Sequence, residues 1–225
     1  VQMDLRAKPS LLRQLAIGLF ATFLLIIASA THAQQLGKIP RLCFLGNSTE
    51  APEASLIGPF REGLRAFGYV ESKNIGTEWG WAKGKYQRFP MLIQELMALK
   101  CDVLVTAGTP ASLAVKQATT TIPRVMIAVG DPVGTGLIAS LAKPGGNITG
   151  LTSIASDLEG KRLELLREVV PKTSHIAVIW NPISAFQVIS EKEMQDAARA
   201  LHIKVLSLGV KGEDDLPNAF AAVVK

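Results

Sequence analysis

From residue 40 onward, short apolar runs that end in glycine or proline alternate with stretches whose apolar residues recur at helical spacing. Strands that alternate with helices form parallel sheets, because each helical crossover returns the chain to the same edge. The pattern therefore predicts a doubly wound parallel α/β sheet. Its expected strands are 41–45, 74–82, 102–106, 122–129 and 148–151. Its expected helices are 54–67, 86–99, 110–118 and a short one at 137–142.

The same alternation starts again after Ser153. We expect helices at 158–169, 191–201 and 214–224, and strands at 174–180 and 203–208. A segment with only two strands buries too little surface to be stable by itself. The expected organisation is therefore an α/β lobe over 34–153, followed by the incomplete start of a second α/β lobe over 154–225.

Residues 1–33 have the layout of a secretory signal peptide. Three basic residues precede the apolar run 15–28, and small residues follow it up to Ala30 and Ala33. A transmembrane anchor is the alternative, but it needs about 20 apolar residues, and this run is shorter. We expect export to the periplasm with cleavage after Ala30 or Ala33, two sites that the sequence does not separate. No cysteine stands at either site, so a lipid anchor is not expected.

The charges of the chain are interspersed. Its net charge is +5, and residues 1–33 carry three of the basic residues and one acid, which leaves +3 for the remainder. A protein that binds nucleic acid concentrates its basic residues on one face, and this sequence has no such stripe. Nucleic acid is therefore not an expected partner.

Two cysteines, Cys43 and Cys101, invite a disulfide in an oxidising compartment. Cys43 comes three residues before Gly46 at the first strand end, and Cys101 comes seven before Gly108 at the third. If these strands are neighbours, that offset separates the cysteines by roughly 13 Å along the sheet. A bridge needs Cα atoms within about 7 Å, so the spacing predicts two buried free thiols.

Polar and glycine residues follow several expected strands, and ligands of open α/β sheets bind outside the carboxyl ends of the strands. The candidate ligand-binding residues are Asn47, Ser48, Gly108, Thr109, Gly130, Asp131 and Asn181. Free N–H groups at a helix N-terminus favour a carboxylate near Gly108 and Thr109. Asp131 is suited to a ligand ammonium group.

Each candidate also has a structural alternative. Asn47 and Ser48 are common turn residues, and Thr109 is a good helix N-cap. The Asp131 carboxylate is also able to cap its own loop, although the ligand role is favoured, and Asn181 is the weaker equivalent in the second lobe. Side chains that alternate along a strand place Trp79 and Trp81 on one face, where core packing is favoured over an aromatic ligand wall. No cysteine, histidine or aspartate stands near His175 at a spacing typical of metal ligands, so we interpret His175 as structural.

Motifs of catalysis are absent from the sequence. No G-x-G-x-x-G follows the first strand, no P-loop or G-x-S-x-G is present, and no histidine pair has zinc-ligand spacing. We expect a binding protein without enzyme activity, cofactor or metal. Two alternatives remain: an enzyme with no recognised motif, and the ligand-sensing domain of a regulator with the same architecture. The regulator alternative predicts a helix-turn-helix before the first lobe, but a signal peptide is expected at that place.

Several segments from residue 40 to the end resemble the ABC-transporter substrate-binding proteins, including their tryptophan-associated members. The matching segments are 60–65 (FREGLR), 68–71 (GYVE), 81–84 (WAKG), 108–111 (GTPA), 129–133 (VGDPV), 143–151 (KPGGNITGL), 160–165 (GKRLEL) and 180–182 (WNP). The resemblance implies two α/β lobes hinged around a ligand cleft. It further implies a monomer that captures a small organic ligand, such as an amino acid, and delivers it to a membrane permease and its ATPase.

Overall fold

The structure, a computed structural model, describes residues 38–153 and 155–224. The predicted signal peptide, residues 1–33, lies outside these ranges. The strands are β1 (Arg41–Gly46), β2 (Gly76–Trp81), β3 (Val103–Ala107), β4 (Arg124–Gly130), β5 (Ile148–Ser153), β6 (His175–Trp180) and β7 (Lys204–Gly209). The helices are α1 (Glu50–Ala66), α2 (Phe89–Ala98), α3 (Thr109–Ala118), α4 (Glu159–Val169), α5 (Ala185–Ala200) and α6 (Leu216–Val223).

The first five strands form one parallel sheet in the order β2-β1-β3-β4-β5. The chain moves outward from β1 in one direction to β2 and then in the other through β3, β4 and β5. The direction of winding therefore reverses between β1 and β3, which is the switch point where this strand order binds ligands. The predicted doubly wound parallel architecture is confirmed.

Apolar side chains cover both faces of this sheet. One face buries Leu45 and Leu104 together with the inner residues of α2 and α3. The opposite face buries Phe44, against which the rings of Trp79 and Trp81 pack. The two tryptophan rings are stacked, with centroids 6.0 Å apart. The packing interpretation of this pair is therefore confirmed.

Cys43 and Cys101 form a disulfide with their Cα atoms 5.8 Å apart, so the prediction of two free thiols is wrong. The prediction took the offset from Cys101 to the end of β3 as if all of that chain were straight and extended. In the structure β3 begins only at Val103, which is level with Leu42. Cys101 belongs to the turn that connects α2 to β3, and its Sγ lies 2.9 Å from the Leu96 carbonyl oxygen. The turn brings Cys101 close to Cys43.

The predicted helix at 137–142 is also wrong. The N–H groups of Leu137 and Ile138 both donate to the carbonyl of Pro132, at 2.8 and 3.0 Å, instead of to successive carbonyls of a helix. Two glycines, Gly134 and Gly136, precede this segment, and glycine is a poor helix former. The apolar side chains at 137 and 138 are buried against β4 and β5 without helical structure.

The second sheet contains β6 and β7, which are parallel. Leu163 of α4 and Ala198 of α5 are buried with Ile203 in a separate apolar cluster. Helix α5 begins at Ala185 and not at 191, because the Ser184 side chain accepts a hydrogen bond from the Gln187 N–H and caps the first turn. The two strands end at the same edge of the sheet, because Trp180, the last residue of β6, is paired with Gly209, the last residue of β7.

Candidate functional site

The switch point of the first sheet is bordered by the residues that follow β1 and β3. Gly46 at the end of β1 is level with Ala107 at the end of β3, so Asn47 and Gly108 lie side by side. Gly108 has a φ of +85°, and a Cβ on it would overlap the Asn47 side-chain amide. Only glycine fits this position, for reasons of both backbone conformation and space.

The Asn47 side chain has an unsatisfied acceptor. Its Oδ1 atom is buried and has no hydrogen-bond partner among the described residues. Buried amide oxygens are nearly always hydrogen-bonded in folded proteins, so the missing partner makes this atom a candidate acceptor for a ligand donor. The backbone around it is fixed, since the carbonyls of Asn47 and Ser48 accept from Gly84 and Lys83 at 2.7 and 2.9 Å.

Helix α3 starts at the same point. Gly108 is its N-cap residue and, as a glycine, supplies no side-chain cap to the first turn of the helix. Thr109 is 3% exposed, and its hydroxyl bonds the Gly130 N–H at 3.2 Å. Thr109 therefore ties α3 to β4 and is not an N-cap. The helix N-terminus itself remains oriented toward the switch point, where its partial positive charge favours an anion.

Asp131 follows β4 in the left-handed region, with a φ of +36°. Its Oδ1 accepts from the Gly134 N–H at 2.8 Å, and its carbonyl accepts from the Thr135 N–H and hydroxyl at 3.0 and 2.8 Å. The carboxylate thus caps its own loop, as the structural alternative states. It also lines a small cavity of about 90 Å³ together with Thr152 and Asp157. A role in ligand binding stays a prediction.

Asn181 follows β6 at the carboxyl edge of the second sheet. Its Oδ1 accepts from the Ile183 N–H at 2.9 Å, and its backbone N–H donates to the Gln187 side chain. These bonds shape the turn that leads into α5. The ligand role of Asn181 also stays a prediction.

Phe186 of α5 borders the end of β4 and is not among the residues predicted from the sequence. The Phe186 ring lies directly against Gly130, so that a Cβ on Gly130 would overlap the ring. Phe186 also lines a cavity of about 260 Å³ with Trp180, Gln187 and Glu191. A signal was present, because Phe186 lies in the first turn of the helix that follows a strand end. The element boundary predicted at 191 excluded it.

Within residues 38–153 and 155–224, no group of three histidine, cysteine or acidic side chains is arranged to hold a metal ion. His175 is exposed and bonds the hydroxyl of Ser174. In the same described ranges, no helix has both the length and the apolar character required to cross a bilayer.

Solved structures define the class of this fold. The chain superposes with a TM-score of 0.77 on a conserved domain protein from Vibrio cholerae, at 29% identity over 83% of this chain and 62% of that one. It also superposes, with a TM-score of 0.75 and 20% identity, on an ABC domain from Streptococcus pneumonia in complex with L-Trp, with the same coverage. A leucine-binding protein from Thermotoga maritima has a TM-score of 0.62 at 9% identity. The fold is that of the type I periplasmic binding proteins.

The family follows from the sequence match. The profile of the family described as ABC transporter substrate binding protein matches residues 52–225, and the chain belongs to this family. A tyrosine-binding protein of Clostridioides difficile is 30% identical over 165 residues, which are 73% of this chain and 47% of that protein. The chain spans about half the length of this curated relative and 62% of the solved structures named above from Vibrio cholerae and Streptococcus pneumonia.

Proposed function

We propose that this protein is the exported solute-binding component of an ABC importer, which captures an amino-acid-like ligand and passes it to a membrane permease and its ATPase. The observation that carries the proposal is the unsatisfied Asn47 Oδ1 beside the uncapped N-terminus of α3, at the switch point of the sheet. A ligand with a carboxylate and a neighbouring donor satisfies both. The family membership supports the same function.

In this proposal the ligand carboxylate binds the N–H groups of Thr109 and Ala111 in the first turn of α3, because Pro110 between them has no N–H. The ligand ammonium or another donor satisfies Asn47 Oδ1, and the negative charge of Asp131 attracts the ammonium group. Phe186 forms an apolar wall from α5, next to a cavity large enough for a side chain. The tyrosine-binding relative and the L-Trp complex support an aromatic amino acid as the first ligand to test.

The ligand is found by a thermal-shift screen of the standard amino acids, followed by calorimetric titration. The informative variant is Asp131→Asn, because the amide oxygen still accepts from the Gly134 N–H while the charge is lost. We expect an unchanged melting temperature without ligand and an affinity about 10- to 100-fold lower. Asp214→Asn, an exposed acid of the second lobe, is the matched control. Wild-type affinity in Asp131→Asn would remove this carboxylate from the ligand site.

A second variant tests the contact between Gly130 and Phe186. Gly130→Ala places a methyl group into the Phe186 ring, so we expect a clear loss of ligand affinity. Phe186→Ala removes the obstacle, and adding Gly130→Ala to it is expected to cost little further. Equal effects of Gly130→Ala in both backgrounds would show that the ring is not the cause.

Export is tested by cell fractionation of the full chain. We expect a processed protein in the periplasm whose mass corresponds to cleavage after Ala30 or Ala33. An unprocessed cytoplasmic protein would favour the alternative of a ligand-sensing domain of a regulator.

A further inference from the structure

The amino ends of the five parallel strands meet at the edge opposite the candidate ligand site. Two turns reach this edge on either side of β1, namely 67–75 before β2 and 99–102 before β3. Both are bonded to the start of β1. The Gly76 N–H donates to the Pro40 carbonyl at 2.9 Å, and the Asp102 N–H donates to the Arg41 carbonyl at 2.8 Å.

These turns expose apolar and aromatic side chains. The exposed fractions are 85% for Phe67, 43% for Tyr69, 40% for Val70 and 37% for Leu99. Neighbouring strands lie about 4.8 Å apart, so two turns that flank one strand bring these side chains within about 10 to 20 Å of one another. Single exposed apolar residues are ordinary, whereas four at one edge make that edge a candidate interaction surface.

The turn before β2 holds its shape by its own hydrogen bonds. Asn74 Oδ1 accepts from the Val70 N–H at 2.6 Å, and Asn74 Nδ2 donates to the Gly68 carbonyl at 2.8 Å. Phe67 and Tyr69 are thus presented from a fixed loop instead of being left uncovered by a loose one. A preformed apolar tip loses little entropy when it binds.

Basic residues flank the apolar ones, namely Arg65, Lys73 and Lys100, all exposed. The acids of the same turns are already engaged. Glu71 pairs with Arg61 at 3.0 Å, and Asp102 Oδ2 accepts from the Arg41 N–H at 2.9 Å. The amino-edge face, defined as Arg65, Phe67, Tyr69, Val70, Lys73, Leu99 and Lys100, therefore combines exposed apolar side chains with three exposed basic residues.

We propose that the amino-edge face docks peripherally on the anionic surface of a phospholipid bilayer. Aromatic and aliphatic side chains enter the boundary between headgroups and acyl chains, and basic residues pair with the lipid phosphates. Tyrosine is a residue typical of this boundary. The candidate ligand site lies at the opposite edge of the sheet and stays open to ligand. The proposal is independent of ligand identity, so it stands or falls separately from the proposed function.

The test is vesicle flotation of the protein without residues 1–33, so that their apolar run does not itself bind lipid. The amino-edge face lies within the compact unit Pro40–Lys225. The probes are vesicles of phosphatidylcholine alone and of phosphatidylcholine mixed with phosphatidylglycerol. We expect flotation with the mixed vesicles, a weaker association with phosphatidylcholine, and a decline as salt rises.

Two variants separate the contributions. Lys73→Glu/Lys100→Glu removes two cations and is expected to lower partitioning into anionic vesicles at least about 30-fold. Phe67→Ser/Tyr69→Ser is expected to lower partitioning into both vesicle types at least about tenfold. The melting temperature is measured for each variant, to confirm that it folds.

The matched controls are Lys172→Glu and Phe220→Ser, which change an exposed lysine and a 58% exposed phenylalanine of the second lobe. Both are expected to float like the wild type. A wild-type protein that floats with neither type of vesicle overturns the proposal. Equal losses in the control variants overturn it as well, since binding would then not depend on this face.

Discussion

The disulfide between Cys43 and Cys101 gives the sharpest stability prediction. It closes a loop over a sequence separation of 58 and joins β1 to the turn before β3, the two strands that border the switch point. Reduction, or the double variant Cys43→Ala/Cys101→Ala, releases that loop in the unfolded chain. Loop-closure entropy for a loop of this length predicts a loss of about 4 kcal/mol in the free energy of unfolding.

Both cysteines are buried, at 0% and 7% exposure. The double alanine variant therefore also loses some packing, whereas reduction of the wild type leaves the same atoms in place. The difference between these two perturbations isolates the packing contribution. For a chain of this size, a loss of about 4 kcal/mol lowers the melting temperature by about 8 to 16 °C.

The assay is urea unfolding followed by tryptophan fluorescence and circular dichroism, with and without reductant. Trp79 and Trp81 lie in the same sheet and report its unfolding. Mass spectrometry after alkylation of the unfolded, unreduced protein counts free thiols, and we expect none. Two alkylated cysteines in protein purified from an oxidising compartment would refute the reasoning. So would a change below about 1 kcal/mol on reduction.

Two further predictions concern buried and paired charges. Asn147→Ala removes the acceptor 2.8 Å from Arg124 Nη2, a guanidinium that is 5% exposed and whose pKa burial lowers. We expect about 3 kcal/mol lower stability by urea unfolding, and a smaller cost in an Arg124→Met background, where only the hydrogen bond from Asn147 Nδ2 to the Ile122 carbonyl is lost. The Thr77 hydroxyl, followed by the charge of Arg61, lowers the pKa of Glu71 below 4.5. The ionised Glu71 therefore contributes fully to the free energy of unfolding above its usual pKa, and this contribution is lost as the pH falls through the lowered pKa. Over that pH range, the free energy of unfolding is expected to fall less in Glu71→Gln than in the wild type. Parallel titration curves would contradict this.

The order of elements was predictable because local signals set it. Apolar runs that end at Gly46, Gly108 and Gly130 predicted β1, β3 and β4, and the observed sheet contains all three. Each strand end carries its own residue signal, and helical crossovers enforce parallel strands. The prediction of a helix at 137–142 was wrong because the backbone there bonds to the carbonyl of Pro132, and the spacing of apolar residues does not reveal such a turn.

The candidate site was predictable only in part. Strand ends located Asn47, Gly108 and Asp131 at one edge, but their hydrogen bonds depend on partners distant in sequence. The packing of α3 beside β4 lets Thr109 bond Gly130, and the packing of α5 places the Phe186 ring against Gly130. Residue types alone do not contain that information.

The sequence by itself determined a parallel α/β chain with ligand-type residues at the carboxyl ends of its strands. Hydrophobic periodicity and glycine positions act on the local backbone, so they predict strands and helices without knowledge of the packing. The tertiary structure alone decided that Cys43 and Cys101 meet and that Asp131 caps its loop while Asn47 keeps an unsatisfied acceptor. Those outcomes depend on distances of a few ångströms between elements, which the turns between the elements set and the strand pattern does not.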